Sequence, residues 1–179
     1  MGAIAIEFEK PRQGRRYRSL IHRPDGLVVA FEGGAYNKVG GPAREVPHDL
    51  AHLIVEEELG LRAGVWGVLA AGGMFAHATV VSGRRAPHAA RRGREAIDRA
   101  GDRIMQAEIL TRAVCDVALA GRPADPRTIR REIGERWWSD DVTAAAIDRA
   151  RERLHDAASR WAALAPAATL REAWRLPLP

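Results

Sequence analysis

The chain has 179 residues, a formal net charge of +5, an apolar fraction of 46% and a single cysteine. That length can close a hydrophobic core without disulfides or a structural metal, and the apolar fraction argues against a disordered chain. The lone Cys115 excludes a disulfide framework, a thiolate zinc ribbon and CxxC redox chemistry.

The first elements in chain order are strands. IAIEFE alternates apolar and acidic residues with period two, YRSLIHR follows the turn-forming PRQGRR, and Pro24-Asp25-Gly26 turns the chain into LVVAFE. Connections this short predict an antiparallel meander over residues 1–33. A glycine-rich loop, Gly33–Val46, comes next. Pro47 then suits the first helical position, where no backbone donor is needed, and the helix is expected to reach Leu59 with Gly60 as its terminator. Gly64–Val81 is the longest apolar stretch, but Gly72-Gly73 and His77 interrupt it. It reads as a buried segment, helical to Ala71, rather than a membrane span.

From Arg91 to Ala120, Ile97, Ala100, Ile104, Thr111, Cys115 and Ala118 recur at helical spacing and predict one long amphipathic helix. The run GRPADP ends it. A short helix over Arg127–Trp137 follows, and Ser139-Asp140-Asp141 is read as the cap of a last helix to Leu164. The tail ATLREAWRLPLP is an edge strand or an extended cover on the core.

The expected fold is α+β, a small N-terminal antiparallel sheet packed with a predominantly helical remainder. It is expected as one domain over 1–179: meander 1–33, helical portion 47–164, extended tail 165–179. MGAIAIEFEK lacks the basic start and apolar stretch of a secretory signal, so a cytoplasmic protein with no membrane contact is expected.

The sharpest chemical feature is the segment His48-Asp49-Leu50-Ala51-His52-Leu53-Ile54-Val55-Glu56. Residues four apart on a helix are offset by only about 40°. His48, His52 and Glu56 therefore form one stripe, and imidazoles at i and i+4 can chelate one metal ion. Two histidines hold a metal weakly, and a catalytic zinc takes three protein ligands. Glu108 is the first candidate for the third, because it falls inside the apolar stripe of the long helix, where a carboxylate needs a partner. His77 and Glu56 are the alternatives, with His22 weaker; His88 and His155 lie in arginine-rich stretches. The same residues can also be read as a metal-free histidine/carboxylate site or as a structural polar cluster, with Asp49 capping the helix start.

The stretch HDxxH resembles the HExxH helix of zinc metallopeptidases, over five residues only. The resemblance implies His48 and His52 as ligands of a divalent ion, zinc by donor type, and Asp49, in place of that family's glutamate, as the base that activates water. Asp is one methylene shorter. HDxxH is also similar to a motif of certain ubiquinone-biosynthesis proteins, in which a glutamate follows at a set interval; here that position is Gly64. The reading is a metal-dependent enzyme, hydrolytic in type, using His48, His52 and Glu108 as ligands and Asp49 or Glu56 as acid/base. Its substrate, a small molecule or peptide, is left open.

The alternative is a nucleic-acid-binding or protein-interaction module, possible as a homodimer through the long helices. Arg12–Arg18 and Arg84–Arg94 concentrate the positive charge and can grip phosphate. Trp137-Trp138 offers an aromatic platform, although adjacent helical residues face different ways, so one is expected in the core and one at an interface. Cys115, in AVCDVALA, is expected to be a small buried hydrophobe.

Overall fold

The computed structural model describes residues 3–14, 16–32, 36–38, 45–119, 121, 125–139 and 142–179. Strands β1 (Ile4–Glu9), β2 (Arg18–His22) and β3 (Val28–Glu32) form the antiparallel meander, with Ile4, Ile6 and Phe8 turned to the core by the period of two. Gly26 takes φ +81° in the turn between β2 and β3, a conformation that favours glycine.

Two distant segments widen the meander into a five-stranded sheet of order β6-β3-β2-β1-β7. The tail supplies β7 (Thr169–Trp174), an edge strand antiparallel to β1 with Leu170 and Trp174 inward. At the other edge lies β6 (Ala78–Ser82), against β3. The segment from Gly64 is helical close to the expected Ala71, but its second half is a partly exposed edge strand rather than buried core. Helix α2 covers only Val65–Ala70, Gly72 turns the chain at φ +108°, and the β-branched Thr79-Val80-Val81 pairs with the open edge of the meander. His77 is exposed just before that strand, and it is not in the group of His48, His52 and Glu108 whose donor atoms come together.

Strands β4 (Tyr36–Lys38) and β5 (Glu45–Pro47) pair in a separate two-stranded ribbon, and the rest of the glycine-rich loop lies outside the described residues. Pro47 ends β5 instead of opening the helix. Its φ of −53° suits either state, but ψ 134° and pairing with Tyr36 keep it extended. Helix α1 is His48–Glu58, and Gly60 at φ +68° follows its end.

The long helix expected over 91–120 is two helices, α3 (Ala89–Ala100) and α4 (Asp102–Leu119), separated by Gly101 at φ +52°. Each keeps its own inward stripe, which is why the apolar spacing reads straight across the break. Helix α5 (Pro126–Ile133) stops at Gly134, φ +83°, and Glu135–Trp137 is a single 3₁₀ turn, so the helix predicted to Trp137 is shorter. Asp125 caps α5 by accepting from the Arg127 and Thr128 amides. Helix α6 (Ala144–Ala163) is capped by Thr143, which accepts from the Ala146 amide; of the predicted cap 139–141, Asp140 and Asp141 lie outside the described residues.

Helix α1 packs against α2, α4 and α6, and every residue from Leu50 to Glu56 is buried. Cys115 is buried in α4, and burial pushes its thiol up to about 12, so it stays a protonated hydrophobe. Trp138 packs on the main core with the Arg130 guanidinium 5.5 Å over its ring; Trp137, half-buried, carries Arg136 at 4.5 Å. Among the described residues no helix is long and apolar enough to cross a membrane.

Candidate metal centre

The helical spacing of α1 brings the His48 and His52 rings edge to face, with centroids 4.6 Å apart. Helix α4 crosses α1 so that Glu108 reaches both. Its carboxylate oxygens lie 3.3 Å from His48 Nε2 and 2.9 Å from His52 Nε2. One donor atom from each of the three residues falls within 4.8 Å of the others. Donors about 2.0–2.2 Å from a tetrahedral zinc are roughly 3.3–3.5 Å apart, close to the separations from Glu108 to the two imidazoles, so small shifts let the cluster hold an ion.

The three residues differ sharply in burial. The side chain of His52 is 1% exposed, whereas those of His48 and Glu108 are 38% and 48% exposed. The cluster therefore has a buried floor and a rim open to water. Glu108 is not the buried carboxylate that its helical position implied: it is half-exposed, with both imidazoles against its oxygens.

His52 is oriented from behind. Its Nδ1 lies 3.0 Å from Glu56 Oε1, and Glu56 is fully buried. The Glu56 carboxylate also accepts the Val65 amide at 2.9 Å and the Trp66 amide at 3.0 Å, the first two N–H groups of α2. With Nδ1–H donated to Glu56, the lone pair of a neutral His52 is on Nε2, facing Glu108. That nitrogen is buried, and the Glu108 carboxylate lies 2.9 Å from it. A buried nitrogen with an acceptor behind it and a carboxylate in front fits the carboxylate–histidine–metal pattern.

Glu56 thus does not stand where an acid/base must stand. It contacts the far nitrogen of His52, and both its oxygens are engaged inside the protein. Gly64 makes the room: a Cβ there would lie 2.4 Å from the Glu56 Cδ. No local pattern in 47–64 announces this arrangement, because the donors belong to the next helix. Trp66 closes it, its indole N–H donating to the Asp49 carbonyl at 2.8 Å while its ring packs on Phe8 and Phe31.

Asp49 faces the sheet and makes no side-chain cap to α1. Its carboxylate accepts from the Ser19 hydroxyl at 2.7 Å and also meets the Tyr17 hydroxyl, which accepts the Asp49 amide at 3.0 Å. Burial raises the Asp49 pKa against the opposing pull of Ser19 and of the two histidines. Tyr17 is raised too, by burial and by the neighbouring Asp49 charge. At His52 burial disfavours the cation, but hydrogen bonds and charge from Glu108 and Glu56 outweigh it and lift the pKa to about 9. Glu108 is held well below the usual carboxylate range by its bonds to His48 and His52.

The other histidines stand apart from this cluster. His22 is exposed on β2, 3.8 Å from Glu7, and His88 is exposed at the start of α3. Comparison with protein-family models, curated proteins and solved structures finds no match to this chain.

Proposed function

We propose that this protein is a metal-dependent enzyme of hydrolytic type, with a divalent ion, zinc by its donor set, held by His48, His52 and Glu108. The observation that carries the reading is the buried Nε2 of His52, held toward Glu108 and His48 by a carboxylate dedicated to its other nitrogen. Two nitrogens and one carboxylate oxygen form a donor set suited to zinc and leave a position for substrate. The HDxxH helix, which resembles that of zinc metallopeptidases, supports the same assignment.

When bound, the ion supplies Lewis acidity toward a carbonyl or phosphoryl oxygen and makes water acidic enough to react near neutral pH. The chain's own residues do the rest. Glu56 fixes the ring and tautomer of His52. The exposed edges of His48 and Glu108 leave the substrate a way in from solvent. Asp49 follows His48 in the motif, but Ser19 and Tyr17 hold its carboxylate on the sheet side of α1, so we assign it to positioning the helix rather than to proton transfer.

Metal analysis of purified protein tests the reading. About one equivalent of metal per chain is expected in wild type, falling well below stoichiometric in His48→Ala, His52→Ala and Glu108→Ala. Equal, substoichiometric metal in all four proteins would end it.

A further inference from the structure

A second feature lies away from the histidines. A cavity of about 240 Å³ opens between the β2–β3 turn, the end of α2 and the start of α3. Its walls include Leu27, Met74 and Ile97 on the apolar side and Arg23, Arg85 and Arg94 on the polar side, with no acidic residue. The arginine-rich run 84–94 therefore supplies one wall of a pocket.

Arg23 is the unusual member. Its side chain is only 5% exposed. One guanidinium nitrogen donates to Asp25 at 2.6 Å and another to the Gly72 carbonyl at 3.3 Å, while Nε is buried with no hydrogen-bond partner. A buried N–H without an acceptor is costly, and a ligand oxygen is one way to satisfy it. Glycines set this geometry. A Cβ on Gly72 would lie 3.0 Å from the Arg23 guanidinium, and one on Gly93 would lie 2.6 Å from the Gly72 carbonyl oxygen. Small residues thus let α3 close over the arginine.

Helix α3 adds a third element. Its first turn has no side-chain cap and no acidic residue, and Ala89 and Ala90 of that turn line the cavity. The Ala89 amide is taken by the Ala86 carbonyl at 3.1 Å, so α3 offers the positive end of its dipole, which favours an anion. Asp25 neutralises Arg23, but Arg85 and Arg94 have no carboxylate partner among the described residues. The unbalanced charge is therefore about +2 together with a helix start, which suits a dianion better than a carboxylate.

We propose that this cavity binds a phosphomonoester carrying a short apolar body. The phosphate sits among Arg23, Arg85, Arg94 and the first turn of α3, and the apolar part lies against Leu27, Met74 and Ile97.

The test is calorimetric titration of the full chain, in phosphate-free buffer with a chelator, using phenyl phosphate, inorganic phosphate and benzoate. Phenyl phosphate is expected to bind at a single saturable site, about tenfold or more tighter than either of the others. An Arg85→Gln/Arg94→Gln double variant, changed only at exposed side chains, is expected to lose about tenfold or more of that affinity with an unchanged melting temperature. His48→Ala is expected to bind phenyl phosphate as wild type does, which separates this pocket from the proposed metal centre. Absence of saturable binding at millimolar phenyl phosphate would overturn the proposal. So would equal affinity for benzoate or inorganic phosphate, an unaffected double variant, or loss of binding in His48→Ala.

Discussion

His52 carries a proton in the metal-free protein that a metal ion must displace. Burial alone would keep the ring neutral, but Glu108 and Glu56 on its two nitrogens reverse the sign and lift the pKa to about 9. Ligation requires the neutral ring. The apparent affinity for zinc is therefore expected to rise about tenfold per pH unit between pH 6 and 8, one proton being released per ion bound. A competition titration with a chelator of known affinity at several pH values checks this; a flat profile would contradict it. The same groups set a stability window for the metal-free chain. A raised histidine pKa stabilises fully below its unfolded value of 6.5, and that contribution fades as pH rises through about 9. A depressed carboxyl stabilises above its unfolded value of 4.5 and loses its effect as pH falls through the lower folded value. The His52–Glu108 pair thus helps most between 4.5 and 6.5.

At the scale of elements, the centre depends on how α2 meets α1. The buried Glu56 carboxylate is satisfied because the Val65 and Trp66 amides that open α2 donate to its two oxygens. Gly64 permits that approach. Gly64→Ala is expected to displace the Glu56 carboxylate, release the His52 ring and lower metal affinity by about 10–100-fold, the usual cost of losing a partner behind a ligand. Isothermal titration of zinc into the variant measures it, with circular dichroism confirming the fold; unchanged affinity would show that Glu56 does not orient His52. The i,i+4 stripe of His48 and His52 is legible in the sequence because both residues share one helix. Glu108 was legible only in part. Its placement in the apolar stripe of 91–120 marks it out, but it is half-exposed, and a break at Gly101 lies within the helix that the pattern drew as continuous.

Across the whole molecule, the two ends of the chain are tied to each other. Strand β7 pairs with β1, and Lys10, just beyond β1, donates to the Trp161 and Leu164 carbonyls at 2.7 Å each, at the end of α6. A cation there satisfies carbonyls that the helix leaves open. Lys10→Met is expected to cost about 1.5–3 kcal/mol, the range for hydrogen bonds to a charged group, and to lower the melting temperature by several degrees. Scanning calorimetry reads the change; a loss under about 0.5 kcal/mol would mean that water replaces the lysine without penalty.

Local chemistry was enough to determine the three N-terminal strands, the helix that carries HDxxH and its stop at Gly60, since period, turn residues and glycine act within a few positions. Tertiary structure decided the rest. It recruited 78–82 and 169–174 to the open edges of the meander, because an unpaired strand edge can be completed by any segment that reaches it. It also set the roles of the acids. Whether Glu56 faces a substrate or the back of a histidine, and whether Glu108 is buried or at a rim, depends on which helix lies across α1, and that information belongs to packing between distant residues.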